Sequence, residues 1–242
     1  VEDNTVAYCN GAGIWVDHTM VSIGNQIKRN TLFDNNLYQL GISDYSNYNG
    51  PGATSPYAVT QYNDVYEGNI CYSKTPSQKT MYHINRWYTG VDFGTFTNNY
   101  YHNPWNTTSI QIEKFLPSNS FLNYTLAQWQ AVRGDDSGSG QSSLSLTYPA
   151  DTANHILVYN DQLTASSYAL PSGTWSEVNG TISTGSVSLE PFTSKVLYRS
   201  GGTPPPPIPP TSPSTNVSLL VQAAVSSNSI TVSWTNYGSA TG

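Results

Sequence analysis

The first half of the chain repeats a pattern in which an asparagine is followed by a short run of alternating apolar and polar residues. Alternation with a period of two predicts β-strands, because successive strand side chains point to opposite faces of a sheet. Positions 4 and 30 are 26 residues apart, and at this offset Ile14 aligns with Leu40 and Val16 with Ile42. The pattern begins at four asparagines: Asn4, Asn30, Asn69 and Asn99.

A repeat of about 20–30 residues with short strands cannot bury its apolar face alone, so neighbouring repeats must stack. Stacking pairs like strands in parallel and places like side chains above one another. We predict a solenoid in which the asparagines occupy a tight bend and form a ladder of stacked amides. Three inward columns are predicted: one of Val6, Leu32, Cys71 and Tyr101, one of Ile14 and Leu40, and one of Val16, Ile42, Ile84 and Ile112.

Changes in pattern divide the chain into four segments. The solenoid is predicted over residues 1–147, with an inserted loop at 45–58 and a closing helix at 126–132. Short alternating strands at 148–200 predict a small antiparallel β-sandwich that packs on the end of the solenoid. The proline-rich stretch at 201–215 predicts an extended linker, and 216–242 resembles the start of a truncated fibronectin type III-like or immunoglobulin-like module. Because the chain opens within a repeat, we expect further residues before it in the complete protein.

The composition restricts the partners of the protein. The chain has 9 lysines and arginines against 15 aspartates and glutamates, which gives a net charge of -6. Nucleic-acid binding needs cations that displace counterions, so this balance argues against a nucleic-acid partner. No apolar run approaches the roughly 20 residues of a membrane helix, so no transmembrane segment is predicted.

Several segments carry a family resemblance. The runs GAGIWVDH at 11–18, IKRNTLFDNN at 27–36 and GTFTNNYYHNPWN at 94–106 resemble the repeats of secreted, pectate-lyase-like right-handed parallel β-helix proteins. The run YTLAQWQAVRGDDSGS at 124–139 resembles the element that closes many of these helices. The run GSVSLEPFTSKVLYRS at 185–200 resembles the last strand pair of a sandwich found in bacterial glycoside hydrolases and their relatives.

The resemblance implies an all-β fold, namely a right-handed parallel β-helix followed by a small antiparallel β-sandwich and a proline-rich linker. It also implies a secreted or cell-surface protein that handles polysaccharides. The family includes pectate and alginate lyases, polygalacturonase-like hydrolases, epimerases and phage tailspikes. It therefore implies a polysaccharide partner without fixing a reaction. No second apolar face suited to a trimer is evident, and we expect a monomer.

The predicted register also assigns outward positions. Residues that follow an inward column point outward, and neighbouring strands lie about 4.8 Å apart, so their side chains can touch. The outward rows are predicted as Asp17, Ser43, Asn85 and Glu113, and beside them His18, Asp44, Arg86 and Lys114.

The candidate catalytic residues come from these rows. In a lyase, Arg86 would bind a sugar carboxylate, His18 would act as a base, and Asp17 and Asp44 could bind calcium through hard oxygen ligands. In a hydrolase, Asp17 would work with Asp44 or Glu113 as a pair of carboxylates. The alternative is an outer face of solvated ion pairs, each of which contributes little to stability. The active site of the complete protein can also lie on preceding repeats.

Aromatic residues in or near the inserted loops form a second kind of candidate site. Sugar rings stack through their C–H surfaces on aromatic faces, so exposed tyrosine and tryptophan suit glycan binding. For Trp87 and Trp105 the alternative is packing over strand edges. The candidate substrate-binding residues are Tyr45, Tyr48, Trp87, Tyr88 and Trp105.

Two functional hypotheses follow, beside a third in which the protein is a purely structural surface repeat protein. The first is an extracellular lyase or glycoside hydrolase that acts on a plant, algal or bacterial polysaccharide. The second is a non-catalytic glycan-binding or adhesive surface protein in which the repeats form a rigid spacer. Geometry separates the two, because an enzyme needs carboxylates or a His–Arg pair that converge on one point.

Overall fold

The computed structural model describes residues 1–16, 22–44, 61–85, 94–114, 120–141, 148–149 and 152–199. Within these ranges only the backbone is described at 22–23, 44, 61–62, 85 and 114, and the same holds for Ser218–Ser226 and Ser229–Asn236. The chain divides into two compact units, Val1–Pro204 and Pro205–Gly242. The fold is all-β, with one α-helix and one short 3-10 helix in the described ranges.

The strands of the repeat region are short because each one only crosses a single face of its repeat. In the part of this region that is described, they are β1 (Thr5–Ala7), β2 (Ile14–Val16), β3 (Ser22–Ile23), β4 (Gln26–Lys28), β5 (Thr31–Phe33), β6 (Tyr38–Asp44), β7 (Gln61–Tyr62), β8 (Val65–Glu67), β9 (Ile70–Tyr72), β10 (Lys79–Asn85), β11 (Thr95–Thr97), β12 (Tyr100–His102), β13 (Ile110–Lys114) and β14 (Ser120–Tyr124).

Three parallel sheets recur in the same order along the chain. Sheet A contains β1, β5, β9 and β12, sheet B contains β2, β6, β10 and β13, and sheet C contains β4, β8 and β11. Each step across a sheet moves to the next repeat. Strand β14 joins sheet B antiparallel to β13, and β3 pairs with β7 in parallel. The predicted stacking of repeats through parallel strands is confirmed.

The register of sheet A confirms the first predicted column. Val6 pairs with Leu32, Leu32 with Cys71, and Cys71 with Tyr101. Leu32 and Cys71 are fully buried, and Tyr101 is 1% exposed. This column packs against inward side chains of sheets B and C to form one apolar core.

The register of sheet B confirms one half of the third column and corrects the other. Val16 pairs with Ile42 as predicted, but Ile42 pairs with His83 and not with Ile84. His83 in turn pairs with Ile112. The prediction for the third repeat was therefore wrong by one residue, and a slip of one residue moves a side chain to the other face of a sheet.

The asparagine column joins the repeats along the bend that precedes sheet A. Oδ1 of Asn30 accepts from the backbone N–H and the side-chain amide of Asn4, at 3.1 and 3.0 Å. Asn69 accepts in the same way from Asn30, and Asn99 from Asn69. The position before each asparagine has a left-handed φ, which forms the bend: Asp3, Arg29, Gly68 and Asn98.

A helix and a serine close the last repeat. Helix α1 (Leu126–Arg133) begins at a capping box formed by Thr125 and Gln128 and ends at Gly134, which has a left-handed φ. Trp129 is fully buried and its indole Nε1 donates to Asp136. Ser139 Oγ accepts from the backbone N–H of Asn99 at 2.7 Å, so a hydroxyl takes the place of the next asparagine.

Sheet D packs beside the repeats, with its strands hydrogen-bonded in a single antiparallel sheet. It contains β15 (His155–Tyr159), β16 (Ser166–Glu177), β17 (Ile182–Leu189) and β18 (Ser194–Arg199), in the order β15–β18–β16–β17. One face holds its own core around Trp175 and Leu197. On the other face Val196 contacts Phe33 and Tyr72 of sheet A. Sheet D thus covers a side of the repeats, where the sequence predicted a two-sheet sandwich at their end.

The second unit contains two strands, β19 (Ser218–Ser226) and β20 (Ser229–Asn236), which pair antiparallel. The sequence predicted this strand-turn-strand pattern as the start of a further module. Among the described residues, no helix has the length and apolarity needed to cross a membrane.

Two neutral histidines lie between sheets A and D. Burial lowers the pKa of His102 to about 4. Burial, helped by the charges of His102 and Lys74, lowers the pKa of His155 to about 3. Nδ1 of His155 is hydrogen-bonded to the hydroxyl of Tyr72, and Nε2 of each imidazole is buried without a described hydrogen-bond partner. A proton on Nε2 of either ring would therefore have no described acceptor.

Removal of an interior amide from the asparagine column should destabilise the protein more than removal of the terminal one. Asn69 is fully buried, accepts two hydrogen bonds from Asn30 and donates to Asn99 and to the Ile27 carbonyl. Asn69→Ala should lower the free energy of unfolding by about 2–4 kcal/mol, measured in urea. The exposed Asn4 supplies the matched control, and Asn4→Ala should cost about 1 kcal/mol or less. Equal losses for the two variants would contradict this account.

The histidines between sheets A and D should make stability depend on pH. Unfolded imidazoles protonate near the ordinary value of 6.5, whereas the folded ones resist protonation down to about pH 4 and 3. The unfolded chain therefore binds more protons in this window, and stability should fall as the pH drops from 6.5 towards 4.

The measurement is the urea midpoint between pH 7 and 4.5. The double variant H102N/H155N should have a shallower dependence on pH, even if it is less stable at pH 7. An unchanged slope in the double variant would show that other groups cause the acid sensitivity.

Candidate functional site

The outward face of sheet B carries side chains that the core does not use. Alternation along each strand points Trp15, Gly41 and Tyr82 outward, since their neighbours Leu40, Ile42 and Met81 lie in the core. Gln111 and Asn123 continue the same row on β13 and β14. One row of side chains therefore crosses all five strands of the sheet.

Three aromatic rings form a platform on this face, which we define as Trp15, Tyr38 and Tyr82. Tyr38 and Tyr82 stack with ring centroids 4.3 Å apart and planes inclined by 10°. Trp15 lies 5.7 Å from Tyr38 and 6.3 Å from Tyr82. Trp15 is 39% exposed, so part of its indole is open to a ligand.

Gly41 makes room for this arrangement. A Cβ at this position would lie 2.1 Å from Cε3 of Trp15, well inside van der Waals contact. Because the residue opposite Trp15 has no side chain, the indole can lie flat across the strand towards the two tyrosines. The arrangement of the three rings therefore requires a residue without a side chain at position 41.

Glu113 lies beside the platform on the same face. The hydroxyl of Tyr82 donates a hydrogen bond to Oε2 of Glu113, which is 8% exposed. Burial, followed by the negative charge of Glu113, raises the pKa of Tyr38. The carboxylate is thus next to the phenols of Tyr38 and Tyr82.

Polar groups border the other side of the platform. Nζ of Lys79 and Nε2 of Gln111 both donate to Oδ1 of Asn123, at 3.2 and 2.8 Å. Burial lowers the pKa of Lys79. An apolar ring surface flanked by an amide pair, an ammonium group and a carboxylate can bind a ligand that has both C–H faces and hydroxyl groups.

The described residues include only part of the predicted site. Glu113 lies on the outward face, in register with Ile84 and Phe121. The predicted row had Asn85 beside Glu113, but Asn85 pairs with Asp44 and Lys114, so the row was wrong at this position.

Most of the other candidates fall outside the described residues. The chain leaves the described ranges after Val16, Asp44, Asn85 and Lys114, at the carboxyl ends of four parallel strands of sheet B. For Asp44 the backbone alone is described, within β6. The candidates beyond the described ranges are Asp17, His18, Tyr45, Tyr48, Arg86, Trp87 and Tyr88.

Trp105 lies at the junction of sheets A and D. Its ring is 5.1 Å from the His155 ring and 5.7 Å from that of Tyr148. It is half-buried and packs in the manner that the sequence allowed as the alternative to glycan binding.

The platform was not predicted, although one feature of the sequence indicates it. Trp15 lies between two inward residues and aligns with Gly41 at the 26-residue offset. An outward tryptophan above a glycine on the next strand indicates an indole laid across that strand. Tyr82 needed the register of the third repeat, which the insertions obscured. Tyr38 was hidden because alternation from Leu40 and Ile42 along β6 would point it inward.

No group of three His, Cys, Asp or Glu side chains that could hold a metal occurs within the described part of the chain. Asp17 and Asp44, the predicted calcium ligands, have no described side chains. Comparison with protein-family models, curated proteins and solved structures gives no match to this chain. The function of this face therefore has to be inferred from its geometry and chemistry.

Gly41→Ala should displace the Trp15 indole without removing an aromatic ring. The added methyl group overlaps the indole, so we expect a loss of about 1–3 kcal/mol in unfolding free energy and a changed near-ultraviolet circular dichroism spectrum. The spectral change should match that of Trp15→Phe. Gly11→Ala is the matched control, because a Cβ there meets nothing within 4 Å. A wild-type spectrum for Gly41→Ala would show that the platform does not require the glycine.

Proposed function

We propose that the protein binds a polysaccharide along the outward face of sheet B. The observation that carries this proposal is the stacked platform of Trp15, Tyr38 and Tyr82 beside Glu113. Aromatic faces attract the C–H surface of a sugar ring, and the polar groups at the edges match its hydroxyl groups. Of the three rings, Trp15 is 39% exposed whereas Tyr82 is 6% exposed, so the indole is the ring that a sugar would contact.

We further propose that sheets A, B and C are the three faces of a right-handed parallel β-helix. The repeated strand order, the parallel registers and the asparagine column support this arrangement. Right-handedness is the rule for crossovers between parallel strands. With the resemblance to pectate-lyase-like proteins, this favours a secreted or cell-surface protein that acts as a monomer.

Catalysis is the second candidate function, and Glu113 is the observation that favours it. Among the described side chains of sheet B, it is the one carboxylate on the outward face, and the Tyr82 hydroxyl fixes its position. Hydrolysis needs a second carboxylate, for which Asp17 and Asp44 remain the proposed residues. Elimination from a uronate needs a base and a cation, for which His18 and Arg86 remain the proposed residues.

Loss of the platform should weaken polysaccharide binding. Trp15→Ala should reduce affinity for the best-bound glycan about tenfold or more, equivalent to about 1.4 kcal/mol or more. The measurement is affinity electrophoresis in gels that contain neutral or acidic polysaccharides, followed by calorimetry. Leu163→Ala is the control, since Leu163 is 82% exposed and lies in the connection between β15 and β16, away from sheet B. Unchanged affinity for every retained glycan in Trp15→Ala would overturn the proposal.

Catalysis is tested with the same polysaccharides, with and without calcium. Elimination gives an unsaturated uronide that absorbs in the ultraviolet, whereas hydrolysis gives reducing ends without that absorbance. If either product forms, Glu113→Gln should lower its rate of formation at least about a hundredfold while the glycan still binds. If the glycan binds and neither product forms, the catalytic proposal is overturned and the binding proposal stands.

A further inference from the structure

We infer that the cleft between sheets A and D is a second carbohydrate site, one that takes an uncharged sugar unit. We define the junction cleft by Tyr8, Tyr159, Phe192, Asp3 and Asp161, which line it together with small polar residues. It is separate from the platform on sheet B. The inference rests on the proposed function in one respect, the assumption that the protein handles polysaccharides.

The cleft exists because sheets A and D separate towards the first repeat. They are in full contact where Val196 meets Phe33 and Tyr72. At strand β1 the two sheets are joined by the hydrogen bond between Thr5 and Ser194, at 2.6 Å, and Ala7 packs against that same apolar cluster. The cleft lies beside these contacts. The gap has a volume of about 480 Å³, within the usual range of about 300–1,000 Å³ for small-molecule sites.

Aromatic rings line the cleft from both sheets. Tyr8 comes from sheet A, and Tyr159 and Phe192 come from the region of sheet D; these residues are 63%, 60% and 59% exposed. The Tyr8 ring is held edge-on against Phe33 at 5.9 Å. Three large rings that stay largely exposed around one concave space are typical of a ligand site, because an ordinary surface would cover or disperse them.

The backbone around the cleft is held in unusual conformations. Tyr8 and Phe192 have φ values of 60° and 55°, a left-handed region that bulky residues seldom adopt. The conformation at Tyr8 recurs one repeat later at Asp34, with a φ of 51°, so it belongs to the bend that follows each strand of sheet A. The side-chain amide of Asn160 donates to the carbonyls of Leu189 and Glu190, and so it ties the end of β15 to the turn that carries Phe192.

The charges around the cleft select against an acidic sugar. Two carboxylates, those of Asp3 and Asp161, line it, and none of its described lining residues is cationic. The nearby guanidinium of Arg29 is occupied by Asp3 and Glu2, at 2.8 and 2.9 Å. Because Arg29 compensates the charge of Asp3, Asp161 is the lining carboxylate that would repel a uronate, whereas a neutral sugar would not be repelled.

The cleft also offers hydrogen bonds that suit hydroxyl groups. The phenol of Tyr8 can donate a hydrogen bond to a ligand in the cleft. The phenol of Tyr159 adds a second donor and the carboxylate of Asp161 an acceptor. Ring faces for C–H groups, phenol donors and a carboxylate acceptor together match a neutral hexose or pentose unit.

The test is calorimetric titration of the full chain and two variants with defined oligosaccharides. The probes are cellohexaose, xylohexaose and mannohexaose as neutral ligands and hexagalacturonate as the acidic one. Tyr159→Ala should lower the affinity for at least one neutral ligand about tenfold or more, while binding that depends on Trp15 should persist. Hexagalacturonate affinity should be the same in Tyr159→Ala and in the wild type. Leu163→Ala serves again as the surface control.

The proposals for the two sites predict different results in this experiment. If Trp15→Ala weakens binding and Tyr159→Ala changes no affinity, the junction cleft is overturned and the platform stands. If only Tyr159→Ala weakens neutral binding, the cleft stands and the platform is overturned. A Tyr159→Ala variant that loses hexagalacturonate affinity would overturn the neutral specificity, and a wild-type chain that binds none of the four probes would overturn both sites.

Discussion

The structure depends on the asparagine column more than on any other single interaction. Each bend exposes a backbone N–H that the next repeat must satisfy, because an unpaired buried donor costs about 1–3 kcal/mol. The side-chain oxygens of Asn30 and Asn69 each accept from both the backbone and the side chain of the preceding asparagine. This pairing fixes how far each repeat is rotated and shifted relative to the next. Sheet registers, core columns and outward rows all follow from it.

Once the repeats are aligned, sheets A and B have different roles. Sheet A buries its outward residues, including Phe33 and Tyr72, against sheet D. Sheet B retains a partly open outward face on which Trp15 lies above Gly41. The two proposed sites follow from this difference. One is the exposed face of sheet B, and the other is the gap where sheets A and D fail to meet.

The sequence predicted the all-β class, and it predicted the pairing of the first two repeats because their offset is constant. Val6 with Leu32 and Val16 with Ile42 pair as expected. The third repeat was misassigned by one residue, since an insertion between the strands removes the fixed offset and the alternation at Ile84 fits either register. Burial of His83 in an apolar column was the deciding fact, and no sequence pattern distinguishes it from an outward histidine.

The end of the asparagine column also sets the size of the repeat array. Ser139 receives the N–H of Asn99 as an asparagine would, but its own hydroxyl is hydrogen-bonded to Asp136. The Ser139 hydroxyl is therefore not available to form a hydrogen bond with a further bend. The helix that carries Trp129 occupies the space where another repeat would stack. Repeats can be gained or lost upstream without change to this terminus. The protein thus separates the part of its chain that can vary in length from the part that specifies where the array stops.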